Sequence, residues 1–155
     1  MHQVTRHRHV LYAAAAGYWA RMSRENVDVV LRAFDAWNRG DIDAWLALVH
    51  ADIEWFSEIA SEVHGSEAVY RGHAELRRFW DEFHSVWDLT IDVSGTRDLD
   101  GTVVTLGRIR TRGKASGIDL ERPAAFVSEC EGGVIRRLRA YQDQSRALEA
   151  VGLRE

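Results

Sequence analysis

The chain holds one cysteine, Cys130, which excludes an internal disulfide framework and a thiolate metal site and suits a reducing cytoplasm. A lone cysteine on a strand is ordinarily a small buried hydrophobe. Long apolar runs are missing too. The stretch from Val10 to Ala16 is well short of the ~20 residues that a membrane-spanning helix needs, so no membrane partner is expected. There is no Gly-rich phosphate loop, nucleophile elbow or dinucleotide fingerprint, because Gly101 and Gly132-Gly133 sit at hairpin signals instead. Positive charge is in deficit, with 20 Lys and Arg against 24 Asp and Glu and a formal charge of −4. Three of the cations, Arg6, Arg8 and Arg21, fall in an acid-free opening segment, so the remainder carries −7. An acidic body argues against nucleic acid as a partner, since neutralising phosphates needs surplus Lys and Arg on one face. The local cluster Arg136, Arg137 and Arg139 lies in strand-like alternation and reads as a solvated sheet face.

What is present is aromatic. Six tryptophans in 155 residues, each burying about 150 to 250 Å², require either a very aromatic core or a cavity lined with rings. The length suits one domain with a single core. Residues 1–21 differ from the rest in being basic, His-rich and Ala-rich. They read as an extension ahead of Met22, disordered or from a mis-assigned start; a signal or transit peptide and a helical arm are the alternatives. The domain is taken as residues 22–155.

From Ser23, a plausible N-cap, Val27, Val30, Leu31, Phe34 and Trp37 recur at helical spacing as far as Gly40. Asp41 caps a second short helix carrying Trp45, Leu48 and Val49, with His50 at its end, and Asp52 to Phe56 is strand-like. Residues 57–69 read as a loop or irregular strand pair over a pocket mouth. A third helix after Gly72 carries an aromatic stripe of Leu76, Phe79, Trp80, Phe83 and Trp87. The period then changes to two. Leu89, Ile91 and Val93 alternate with polar residues, Asp100-Gly101 turns into Thr102 to Arg112, and Gly113 to Asp119 forms a longer turn. A strand from Leu120 to Glu131 turns at Gly132-Gly133 into Val134 to Gln142, and Asp143 caps a last helix closed by Gly152. Three helices, a four-stranded antiparallel meander and a closing helix make an α+β order.

The stretches RAFDAWNRGDIDAWLALVHADIEW, YRGHAELRRFWDEF and GGVIRRLRAYQDQSRALEAVGL resemble the opening, the third helix and the closing strand and helix of SnoaL-like domains in the nuclear transport factor 2-like superfamily. Together they cover roughly residues 23–153. The resemblance implies a conical α+β fold, with a curved antiparallel or mixed sheet wrapped on three N-terminal helices and a short C-terminal helix. It also implies a deep pocket and frequently a homodimer through the sheet's outer face. That superfamily hosts polyketide cyclases, ketosteroid isomerases, scytalone dehydratase and epoxide hydrolases, so the fold does not name a reaction.

Acid–base work on an apolar substrate needs a carboxylate or imidazole in a dry pocket. The cyclase aspartate resembles the position held here by Ala140, so ring closure by that route is not expected. The ketosteroid isomerase base resembles the region of Ser57 and Glu58, which makes Glu58 the general-base candidate. His73, near Tyr70, is a candidate proton shuttle or a simple first-turn capping residue. His64 could face the pocket mouth. On the last strand Leu138, Ala140 and Gln142 share the inward parity, so Gln142 could hydrogen-bond a ligand, whereas Asp143 reads as a cap. The histidines lack metal-ligand spacing, and neither metal nor cofactor is expected. Trp37, Trp55, Tyr70, Phe79 and Phe83 come from three elements and, with Gln142, form the candidate ligand-binding set for an apolar small molecule. Three functions remain open: an acid–base isomerase, dehydratase or hydrolase on a carbonyl-bearing metabolite; a non-catalytic binding module; and a dimerisation domain plugged by its own tryptophans.

Overall fold

The computed structural model describes residues 22–58 and 68–153. The expectations for residues 1–21 and for His64 lie outside that range. Helix α1 spans residues 22–38 and buries Asn26, Val29, Val30, Ala33, Ala36 and Trp37. Leu31, expected on this face, is 41% exposed. One helical step of about 100° beyond Val30 carries it past the stripe, which centres on the small residues Ala33 and Ala36 that let the helix sit close to the sheet. Gly40, at φ 72°, takes the left-handed conformation that ends the helix. Asp41 then caps α2 (Ile42–Leu46), its carboxylate accepting from the Ala44 N–H at 3.0 Å.

Strand β1 (Val49–Ser57) begins earlier than its aromatic run suggested. His50 therefore lies on a strand and not at a helix end; sheet bonding has already started, with Ile135 N–H donating to the Leu48 carbonyl at 3.0 Å. The edge strand β2 (Val69–Arg71) pairs antiparallel with β1. Helix α3 (Gly72–His84) follows, its start held by Glu75, whose carboxylate accepts from the Arg71 N–H. Trp87, expected on the α3 stripe, instead opens β3 (Trp87–Leu99), because the helix closes at Ser85 and Val86 with bonds to the Asp81 and Phe83 carbonyls.

The meander continues through β4 (Thr102–Gly113), β5 (Asp119–Glu131) and β6 (Val134–Tyr141). Asp100-Gly101 and Gly132-Gly133 form its tight turns, all four residues at positive φ, as two-residue hairpins require. Strand order is β2-β1-β6-β5-β4-β3. The sheet is mixed because β1 runs parallel to β6. Helix α4 (Gln144–Ala150) closes the chain, with Asp143 accepting from Ser145 N–H at 2.8 Å. The fold is α+β: a curved open sheet of six strands, N-terminal helices on one side and a short C-terminal helix on the other. Among the described residues no helix is long and apolar enough to cross a membrane.

Three register shifts interrupt the sheet, one of them in the β1–β6 pairing between Val49 and Glu54. In β3 the register shifts between Val93 and Gly95, and the facing Gly107 lies so close that any Cβ there would collide with the Asp92 carbonyl oxygen; a bulge increases local twist and needs such room. In β6, Ile135 faces Cys130 while Arg137 faces Glu129, so Arg136 is the extra residue of a bulge. That bulge allows both Ile135 and Leu138, three positions apart, to be buried on the same face.

The concave face is apolar, with Ile53 and Trp55 of β1, Leu138 and Ala140 of β6, Phe126 of β5 and Ile109 of β4 in one core with the helices. The convex face is charged. Arg71, Glu54, Arg137 and Glu129 form an ion-paired ladder across β2, β1, β6 and β5 at 3.5, 3.4 and 3.3 Å. Asp92, Arg110, Glu121 and Arg108 do the same on β3, β4 and β5. The basic cluster on β6 is thus partly consumed within the sheet. Apolar residues on this side, Ala125, Val127 and Tyr141, are covered by Ala147 of α4.

Candidate functional site

The helical layer and the concave sheet meet around four tryptophans. Trp37 of α1 is the centre, with ring centroids 5.5 Å from Trp45, 6.1 Å from Trp55 and 4.5 Å from Trp80, each edge to face. Such geometry places the positive ring edge against the negative ring face. Trp55 continues the contact to Phe79 at 4.6 Å and Phe79 to Phe83 at 5.7 Å. Phe34 closes the other side against Phe126 at 5.0 Å.

These rings do not fill the cone completely. A cavity of about 100 Å³ remains, walled by Phe34, Trp37, Trp45, Trp55, Phe79 and Phe83 and floored by strand residues that include Leu89, Ile91, Leu138 and Ala140. A dry cavity of about 150 Å³ holds benzene, and this gap has about two-thirds of that volume. Phe34, Phe83, Trp87 and Leu89 are the half-buried members of the lining. Among the described lining residues Ser57 contributes the one hydroxyl. Four of the lining residues are tryptophans, and the indole nitrogens of two of them, Trp37 and Trp55, are buried and have no hydrogen-bond partner.

Of the ligand-binding residues read from sequence, Trp37, Trp55, Phe79 and Phe83 line the cavity. Tyr70 and Gln142 do not. Tyr70 packs behind the wall, 5.6 Å from Trp55 and 4.7 Å from Phe79 between ring centroids, and burial, then Glu82, push its hydroxyl pKa above the usual value against a smaller opposing pull from Arg78. Gln142 lies past the end of β6. Its inward parity ends with the strand, and its backbone N–H donates to Glu58 Oε2 at 3.0 Å.

The two catalytic candidates are also outside the lining. Glu58 is well buried, its side chain 12% exposed, and Arg146 of α4 approaches Oε1 at 2.7 Å. Together with the Gln142 bond, this makes the carboxylate a tie between β1, the end of β6 and α4. His73 sits in the first turn of α3, where its Nε2–H donates to the Val49 carbonyl at 3.0 Å; the bond fixes the helix on β1. A third imidazole, His84, donates from Nδ1 to the Trp80 carbonyl at 2.9 Å and stacks on the Trp80 ring at 4.0 Å. It touches the aromatic cluster without entering the wall.

Sequence reasoning missed Trp45, Trp87, Leu89, Ile91, Ile109 and Phe126 as lining residues. Apolar spacing marked Trp45, Trp87, Leu89 and Ile91 as inward, and Ile109 and Phe126 fell within expected strands, but nothing local separates a side chain that fills the core from one that borders a gap in it. Among the described residues no carboxylate or imidazole reaches the cavity wall, so the wall can desolvate and orient a molecule but has no group of its own to take a proton near neutrality. No group of three His, Cys, Asp or Glu side chains is gathered for a metal among those residues.

Similar structures agree with this architecture. A putative polyketide cyclase from Xanthomonas campestris is 17% identical with a TM-score of 0.69, over 84% of this chain and 98% of that one. TerC, co-crystallised with polyporic acid, is 18% identical with a TM-score of 0.69, over 81% and 96%. An LEH-like epoxide hydrolase from M. tuberculosis is 15% identical with a TM-score of 0.67, over 79% and 85%. At these identities the likeness speaks for the fold alone. No curated protein sequence matches the chain. The pattern of a SnoaL-like domain matches residues 30–138, a stretch that contains α2, both edges of the sheet and most of the aromatic wall, and the chain belongs to that family.

Proposed function

We propose that this protein binds a small, largely apolar molecule of about one ring in the cavity between α1, α3 and the concave sheet, and holds it without transforming it. The observation that carries this reading is the composition of the wall: aromatic rings and aliphatic chains with one serine, and no described carboxylate or imidazole. A preformed apolar cavity with few polar groups is the usual form of a small-molecule site. TerC, of the same fold, was crystallised with polyporic acid, which supports the same use of the cone here. A ligand that binds only the folded state raises the melting temperature, and above its Kd the rise follows the logarithm of its concentration. Toluene and related single-ring compounds are therefore expected to raise it steadily with concentration in the full chain and to lose that effect in Ala140→Leu, which fills the cavity floor. An unchanged melting temperature in the wild-type protein sinks the reading.

An acid–base isomerase, dehydratase or hydrolase acting on a carbonyl-bearing metabolite is the second reading. It is favoured by the position of Glu58, which directly follows the cavity-lining Ser57 and is well buried. To act as a base, Glu58 would exchange Arg146 and the Gln142 N–H for substrate, with His73 as its proton partner. Product formation that Glu58→Gln abolishes would select this reading over simple binding. A homodimer through the convex sheet face and a cytoplasmic location complete the proposal. The first rests on the family resemblance and is checked by sedimentation equilibrium; the second rests on the lone half-buried thiol of Cys130.

A further inference from the structure

We propose that the ligand of this cavity carries an alkyl chain on its ring, and that the chain leaves the mouth and lies on an apolar shelf formed by Leu120 and Ile118. The inference rests on the cavity being a ligand site and adds what that site takes beyond the ring. Phe34, Phe83, Trp87 and Leu89 line the cavity and are only half-buried, so they stand between it and solvent. Trp87 and Leu89 lie at the start of β3 and place the mouth at that end of the sheet. Leu89 is directly paired with Thr111, and Thr111 with Leu120. Paired residues of neighbouring strands project from the same face, so Leu120 shares the concave face with Leu89, two strands away and about 10 Å at ordinary strand spacing. Ile118, two residues earlier, joins Leu120 by alternation, and its carbonyl accepts from the N–H of Gly113, the strand partner of Trp87.

The shelf is exposed. Leu120 is 47% and Ile118 58% exposed, and with Val86 they make up three of the four large hydrophobic side chains that stand in solvent among the described residues. Val86 is tied to the same end by the Lys114 N–H, which donates to its carbonyl at 2.9 Å. Such side chains are ordinary when scattered singly, but a group of them beside a cavity marks a surface that is covered in use. Area and charge decide what covers it. Three side chains fall well short of the ~800 Å² per partner that a stable protein interface buries. The charged neighbours are matched among themselves, Lys114 with Asp88 at 3.7 Å and Arg112 with Asp119 at 3.9 Å, which favours an uncharged occupant. A hydrocarbon chain meets both conditions. The cavity requires the same arrangement, because at about 100 Å³ it has less room than one that holds benzene. A chain attached to the ring therefore has to leave, and the shelf continues the apolar wall past Thr111.

The test is a series of n-alkylbenzenes from toluene to n-pentylbenzene, bound to the full chain and followed by calorimetry. Affinity is expected to rise about two- to fourfold with each added methylene, the range for a CH2 group partly to fully removed from water. Leu120→Ser and Ile118→Ser replace exposed side chains and should flatten that rise while leaving toluene within about twofold of wild type. Equal slopes in wild type and variants, or no rise beyond toluene, overturn the shelf and leave the cavity reading standing. Absence of binding by every member removes the cavity reading, and the shelf with it. A sedimentation mass that Leu120→Ser lowers in the ligand-free chain would make the shelf a contact between copies, which also overturns the proposal.

Discussion

The side-chain amide of Asn38, at the end of α1, exchanges two hydrogen bonds with the backbone of Ile91, donating to its carbonyl and accepting from its N–H, each at 2.8 Å. Strand β3 is an edge of the sheet, so these two groups have no neighbouring strand to bond. Asn38 replaces one, and in doing so sets the distance between α1 and a residue that borders the cavity.

Asn38→Ala should therefore cost about 2 kcal/mol or more of stability, since it orphans a donor and an acceptor together. Urea denaturation measures this directly. A loss below about 0.5 kcal/mol, the usual range of a neutral surface change, would show that the edge is satisfied by solvent instead.

Gly107→Ala is expected to destabilise by about 2 kcal/mol or more, because the new methyl group meets the Asp92 carbonyl oxygen across the β3 bulge and the backbone must shift to admit it. Gly95→Ala, where a Cβ has open space, is the control and should cost much less. Similar melting temperatures for the two variants would show that the bulge relaxes freely.

Glu58→Ala should lower stability by about 2 kcal/mol, more than Glu58→Gln, which keeps an acceptor for the Gln142 N–H and loses only the charge facing Arg146. Because the Arg146 side chain is 62% exposed, the ion pair itself is partly screened and contributes less than the buried hydrogen bond. Ring-ligand affinity should stay within about threefold of wild type in Glu58→Gln, a difference of under 1 kcal/mol. Intact stability with abolished turnover would instead make Glu58 a base.

Ala140→Asp places a carboxyl on the cavity floor. Desolvation there favours the neutral acid, raising its folded-state pKa by about three units and costing about 4 kcal/mol near neutral pH. With the folded pKa above the unfolded one, the variant is closest to wild type below about pH 4, where both states are protonated, and loses stability as pH rises from there. A penalty independent of pH would mean that the group reaches solvent, and that Ala140 does not face a dry interior.

Burial, aided by the nearby charge of Asp98, pushes the Cys130 thiol from its ordinary 9.0 up to about 11. The folded protein thus keeps its proton where the unfolded chain releases it, so stability falls as pH rises between about 9 and about 11. Alkylation by iodoacetamide at mildly alkaline pH should be about a hundredfold slower in the native protein than in urea, following the thiolate fraction. Comparable rates would place the sulfur at the surface.

The sequence by itself determined the elements and their order. Glycines at forced left-handed turns, Asp41 and Asp143 as caps, and the change from helical to alternating period are local effects, governed by backbone sterics and nearby hydrogen bonds. For the same reason Trp37, Trp55, Phe79 and Phe83 were legible as an inward set. Only the tertiary structure decided which inward residues border a gap, because a void depends on how side chains from eight elements pack together and not on any one of them. It also decided the fate of the polar candidates. Gln142 had the right parity and Glu58 the right region, but β6 ends one residue early and α4 folds back to bring Arg146 onto Glu58, contacts between residues 84 and 88 positions apart that no local pattern encodes.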